Sequence, residues 1–235
     1  IYPCFFFFSF YTNYMEKQEL KDFITNDIRT FGRRHGKKLS NRKQWLIGNL
    51  LPEITPSTPD FGTKSTILEI GFGNGEHLRD LAINNSESII IGAEPFENGV
   101  AALLSAITNE SDNSLVDEYK NIRVWADDIR ILLKNFPDSK FNEIWVLHPD
   151  PWPKARHEKR RLLNHDFLNL LSKHLTRNGK IIIGTDHWEY YDWILNELKQ
   201  TKLKIESTNL DIIKTRYQIK NKAGTTAPKY LILSN

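Results

Sequence analysis

The segment His148-Pro149-Asp150-Pro151-Trp152-Pro153-Lys154-Ala155-Arg156-His157-Glu158-Lys159-Arg160-Arg161 holds the residues best suited to do chemistry in this chain. One carboxylate stands between two prolines, beside an indole and ahead of five lysines or arginines opposed by a single glutamate. Proline fixes φ and removes a backbone donor, so the stretch around Asp150 must be stiff and cannot continue a central strand. Asp150 can accept hydrogen bonds from the N1 and N2 donors of a guanine, and Trp152 offers a flat face on which a base can stack. The basic run can hold several phosphates, which makes binding salt-dependent. A proline-rich loop leading into a solvated charged helix would share this composition. It would not need the apolar run Ile144-Trp145-Val146-Leu147 directly upstream together with the trapped carboxylate.

A second constellation is Leu68-Glu69-Ile70-Gly71-Phe72-Gly73-Asn74-Gly75-Glu76. Gly71, Gly73 and Gly75 let the backbone turn sharply and approach a ligand, ahead of a helix N-terminus with free N–H groups. A tight turn alone would account for the glycines. The dinucleotide fingerprint G-x-G-x-x-G would need glycine where Glu76 stands, and a carboxylate is poorly suited to lie beside a pyrophosphate. A ligand with a carboxylate and a positive charge suits the loop better, and S-adenosylmethionine carries a carboxylate and a sulfonium. Glu69 can then reach the methionyl ammonium. Glu94 falls near the roughly 20-residue offset after Gly71 at which a ribose-binding acid is expected, and Asp128 can meet the adenine amino group. Acids at the ends of successive strands favour a ligand site over a bare turn.

These residues need a scaffold that brings strand ends together. Short β-branched runs at residues 66–70, 88–92, 123–126, 143–147 and 180–184 alternate with helical stretches at 75–84, 99–108, 166–175 and 188–200. Such alternation predicts an α/β fold with a parallel sheet and helices on both faces. Arg177-Asn178-Gly179 reads as a helix stop ahead of the fifth strand. The last runs, 203–208 and 230–233, have no convincing helix between them, which predicts an antiparallel pair at the sheet edge. Upstream, helices are expected over 16–27 and 41–50, separated by a basic turn at 33–38. Three prolines in 52–62 then mark a connector.

The 235 residues, 40% hydrophobic and 26% charged, fit one main domain. Residues 1–14 are expected to be a non-native or disordered leader with translation starting at Met15. Residues 15–62 would form a helical, basic extension and 63–235 the main domain. Residues 33–43, 154–161 and 214–229 carry six, five and five lysines or arginines, half of the 32 in the chain. Clustered positive charge points to a polyanionic partner. The single cysteine, Cys4, rules out an intrachain disulfide and a cysteine metal site, so a reducing, cytoplasmic setting is expected. His35, His148, His157, His165, His174 and His187 form no metal-binding pair at H-x-x-x-H spacing, and no metal is expected. The aromatic opening lacks a basic n-region, and no segment has the ~18 apolar residues that a membrane span needs.

Together, Leu68-Glu-Ile-Gly-Phe-Gly-Asn-Gly, Gly92-Ala-Glu-Pro-Phe-Glu-Asn-Gly, the Pro-Asp-Pro-Trp segment with its basic tail, Gly184-Thr-Asp and Thr215-Arg-Tyr resemble the bacterial tRNA (guanine-N7-)-methyltransferase family. The resemblance runs from about Arg29 to Leu233. It implies a class I, Rossmann-like methyltransferase fold with an antiparallel edge strand. It also implies methylation, with S-adenosylmethionine, of N7 of a guanine in the tRNA variable loop, the one usually numbered 46. By motif, Glu69, Glu94, Asp128 and Asp150 would line the cofactor site. Lys154, Asp186, Thr215, Arg216, Tyr217 and Gln218 would contact the target nucleotide. The family commonly has Glu where Gln218 stands here; the amide keeps hydrogen bonding but not charge.

Guanine N7 carries a lone pair and no proton, so no general base is required, and Asp150 is expected to orient the base and favour the developing positive charge. Trp152 and Tyr217 could stack on it or serve as core aromatics. Two other functions share part of the pattern: a class I methyltransferase acting on a small molecule or protein, and a non-catalytic RNA-binding module. The chain would act as a monomer or homodimer.

Overall fold

The computed structural model describes residues 30–62, 64–208 and 228–235; the expected helix over 16–27 and the Thr215 to Gln218 motif lie outside them. Helix α1 (Asn41–Glu53) precedes β1 (Thr66–Ile70), α2 (Glu76–Asn84), β2 (Ile89–Ala93), α3 (Glu97–Ala106), β3 (Ile122–Trp125) and α4 (Ile129–Asn135). There follow β4 (Phe141–Leu147), α5 (His165–Lys173), β5 (Leu175–Thr185), α6 (Trp188–Leu198), β6 (Lys204–Ser207) and β7 (Lys229–Ser234).

The strands form one sheet in the order β3-β2-β1-β4-β5-β7-β6. The first five are parallel, and β7 pairs antiparallel with both β5 and β6, which is the expected edge. β1 and β2 are near-continuous buried apolar runs, as strands covered by helices on both faces must be. One face carries α1, α2 and α3 through Leu46, Leu50, Leu78, Leu103 and Leu104. The other carries α4, α5 and α6 through Leu132, Phe167, Leu171, Tyr190 and Ile194. Helix α1 thus shares the core of the sheet unit.

Three local readings change. Helix α1 runs through Pro52 to Glu53, where the connector was expected to begin; a proline in the last turn removes only one hydrogen bond. Helix α4 had no counterpart in the sequence reading. Helix α5 ends at Lys173, and Arg177-Asn178-Gly179 lie within β5 as a bulge, not as a helix stop. Phe141 pairs with Leu175 and Glu143 already with Lys180, so the four residues 176–179 face the single Asn142 on β4. A Cβ on Gly179 would sit 2.7 Å from the Phe141 carbonyl oxygen, so only glycine fits that approach.

Candidate active site

From β1 the chain proceeds outward to β2 and β3, then returns to β4 on the opposite side. Open α/β sheets bind ligands at the carboxyl ends of the strands where the order reverses this way. A cavity of about 690 Å³ lies there, walled by Gly71 after β1, Glu94 after β2, Asp128 after β3 and Asp150 after β4. That volume is within the usual range for small-molecule sites. Thr30 to Arg33 and residues from Lys159 onward complete its walls.

Glu94 is buried and holds the glycine loop. Its Oε2 accepts from Gly73 N at 2.9 Å and its Oε1 from Phe96 N at 2.9 Å. Burial raises the carboxyl above its ordinary value, and the two backbone bonds only partly offset this; Asp150 and Glu69 raise it further. Each oxygen keeps a lone pair for a ligand hydroxyl. Gly71, Gly73 and Gly75 have φ of 75°, 59° and 80°, the left-handed region that glycine enters freely. Helix α3 closes on this loop: a Cβ on Gly99 would meet the Gly73 carbonyl oxygen at 2.4 Å.

Asp128 is the N-cap of α4. Its Oδ1 accepts from Arg130 N and Nε, both at 2.9 Å, and its Oδ2 from Arg130 Nη2 at 2.7 Å and Thr30 Oγ1 at 2.8 Å. Burial alone would raise this carboxyl, but the bonds from Arg130 and Thr30 outweigh it and hold it below its ordinary value. About four lone-pair sites exist on a carboxylate, so this one is filled, and an adenine amino group reaches Oδ2 only by displacing Thr30 or Arg130 Nη2. The adjoining strap is tied down by Arg34 to Asp127, by Glu97 N donating to Arg34 O at 2.9 Å, and by Gly36 N donating to Asn98 Oδ1 at 2.7 Å.

Asp150 is exposed at the cavity mouth, on a turn bracketed by two residues in the left-handed region, His148 (φ 49°) and Trp152 (φ 42°). His148 N donates to Gly184 O at 2.7 Å, and His148 Nδ1 is 3.6 Å from Asp186 Oδ1, which brings Asp186 next to the turn. Lys154 is exposed at the start of the short 3-10 turn Ala155–Arg160 and does not line the cavity.

The basic block is not uniform. Lys154, Arg156 and Lys159 are exposed, whereas Arg160 lies 4.9 Å over the Trp152 ring, so the indole face expected to receive a base already carries a guanidinium. Arg161 is buried. Glu69 is also buried and is not on the cavity wall; its Oε2 is 3.3 Å from Nδ1 of His77. Among the described residues no cluster of His, Cys, Asp or Glu is placed to hold a metal ion, and no helix is long and apolar enough to cross a membrane.

A family model described as a methyltransferase, Methyltransf_4, matches residues 63–227. A tRNA (guanine-N(7)-)-methyltransferase of Caulobacter vibrioides is 35% identical over 219 residues, covering 87% of this chain and 93% of that one. The enzyme of the same name from Wolbachia pipientis wMel is 44% identical over 133 residues, 57% of each chain. That from Paramagnetospirillum magneticum is 36% identical over 182 residues, 72% of this chain and 74% of its own. The fold is that of solved methyltransferases: an antibiotic-related methyltransferase superposes with a TM-score of 0.53 at 16% identity, over 84% of this chain and 96% of that one. With a relative matched along almost its whole length and the family model running from before β1 through β6, the chain belongs to the tRNA (guanine-N(7)-)-methyltransferase family.

Proposed function

We propose that the protein transfers a methyl group from S-adenosylmethionine to N7 of a guanine in tRNA, the variable-loop guanine usually numbered 46, without a general base. The observation that carries this reading is the convergence of Glu94 and Asp150 on one cavity at the reversal of strand order, in a chain of this family. The donor set fits the cosubstrate: a left-handed glycine loop next to a helix N-terminus, and Glu94 with lone pairs free for ribose hydroxyls. When bound, S-adenosylmethionine supplies a methyl group activated by its sulfonium.

The chain's own task is then placement. The guanine N7 lone pair forms the new C–N bond as the S–CH3 bond breaks, so no proton leaves the base, and orientation alone is worth on the order of 7–11 kcal/mol. The base becomes cationic. Asp150, accepting from N1 and N2, holds its plane and stabilises that charge electrostatically. To enter the cavity the nucleotide must leave its stack, at a cost of a few kcal/mol. Lys154, Asp186, Thr215, Arg216, Tyr217 and Gln218 are the residues assigned to contact the target nucleotide. Exposed Lys154, Arg156 and Lys159 hold phosphates.

Methyl transfer to two transcripts tests the reading. A tRNA transcript with the variable-loop guanine should take up label from methyl-labelled S-adenosylmethionine, and one with adenine in its place should not. Equal labelling of both would overturn the assignment of that position.

A further inference from the structure

Arg161 closes the run of cations that reads in the sequence as a phosphate grip, yet only 5% of it is exposed. Its Nε donates to Pro151 O at 2.9 Å and its Nη2 to Trp152 O at 3.4 Å, and its Nη1 lies 3.5 Å from Glu158 Oε1. The guanidinium also lies over Tyr190 and Trp193 of α6, 5.7 and 5.1 Å from their ring centroids. A buried cation is costly unless its donors are filled. Arg161 gives two of them to the carbonyls of the two residues that follow Asp150 and sets its charge beside Glu158.

That loop needs holding. Non-glycine residues in the left-handed region, here His148 and Trp152, cost about 1–3 kcal/mol each and persist only where the surroundings fix them. Pro149 and Pro151 have no N–H to donate, so beyond His148 N, which donates to Gly184 O, carbonyls are the main handles by which this turn can be gripped. Tyr190 is fully buried and its hydroxyl accepts from Leu163 N at 3.3 Å, giving the guanidinium a rigid wall to rest on.

We propose that Arg161 is a positioning residue: it clamps the Pro151 and Trp152 carbonyls against α6, fixes the Asp150 carboxylate toward the target base, and contacts no phosphate. The proposal rests on the reading of Asp150 given above. A guanidinium is required, because lysine brings charge without the planar fork or the stacking face.

The test compares the wild type with Arg161→Lys, Arg161→Gln, Asp150→Ala and Lys159→Ala on unmodified tRNA, below each variant's melting midpoint. Both Arg161 variants should lose at least tenfold in kcat, keep Kd for S-adenosylmethionine within twofold, and keep the wild-type salt slope of tRNA binding. Lys159→Ala should lower that slope by about one. If Arg161→Gln does not fold, the milder Arg161→Lys carries the reading. An Arg161→Lys enzyme with wild-type kcat beside a slow Asp150→Ala would overturn the clamp alone. So would a salt slope reduced by one, which marks a phosphate contact, or loss of cosubstrate affinity in step with kcat, which marks a general structural role. An Asp150→Ala enzyme as fast as the wild type would instead remove the reading beneath the proposal.

Discussion

Nδ1 of His77, on the first turn of α2, lies 3.3 Å from Oε2 of Glu69 on β1, and both side chains are buried. The angles make no hydrogen bond, and neither atom has another partner among the described residues. His77 also rests on the Trp145 ring at 4.9 Å. Removing His77 takes away the one polar neighbour of a buried carboxylate oxygen and the ring packed on Trp145, so His77→Ala should destabilise by about 1–3 kcal/mol. A Glu69→Gln/His77→Ala double variant should lose less than the sum of the two singles, because the groups share one contact. Urea unfolding measures this, and strict additivity would show that the two side chains ignore each other.

Glu94 sets one pH dependence. Burial raises its carboxyl in the folded state, so folding favours its protonated form. Its contribution to stability is fully present below the unfolded value and is lost as pH rises through the raised folded value. The stability advantage of the wild type over Glu94→Gln should therefore narrow over that rise. Unfolding free energies of the two proteins across the weakly acidic range check the sign; a widening gap would contradict it.

Asp128 runs the other way. Its carboxyl is held below the ordinary value, so its stabilisation is present above the unfolded value and is lost as pH falls through the depressed folded one. Loss of this N-cap in Asp128→Ala should cost about 0.5–2 kcal/mol near neutrality, and the cost should fade in acid. Thermal melts at several pH values would reveal a constant difference if the charge were irrelevant.

What the sequence made legible was covalently local. The turn around Asp150, the glycine loop and the acid after β2 are each contained in one short stretch, and the structure brings Gly71, Glu94 and Asp150 to one cavity. Partnerships between distant segments left no such trace. The Thr30 to Asp128 bond spans 98 positions, and nothing in the sequence around Asp128 names its partner. Composition alone cannot tell a solvated cation from a buried one, so nothing in the run separates Arg161 from Lys154, Arg156 and Lys159. Helix α4 has only seven residues, Ile-Arg-Ile-Leu-Leu-Lys-Asn, too few to separate a helical period from an apolar run, although Asp128 as its cap was a usable signal. The bulge at 176–179 imitates a helix stop because both use Asn and Gly.

Gly99 tests the loop geometry. A methyl group there would press on the Gly73 carbonyl at 2.4 Å and displace the turn that Glu94 holds. Gly99→Ala should destabilise the fold by about 1–3 kcal/mol, the usual cost of overpacking, and weaken S-adenosylmethionine binding while leaving the salt dependence of tRNA binding unchanged. Calorimetric titration with the cosubstrate is the measurement. Undiminished heat and affinity would mean that the loop does not touch the ligand.

The most direct test of the account is nucleoside analysis of unmodified tRNA after incubation with the wild-type protein and methyl-labelled S-adenosylmethionine. The predicted result is label in 7-methylguanosine. Unlabelled tRNA, or label in any other nucleoside, would contradict it.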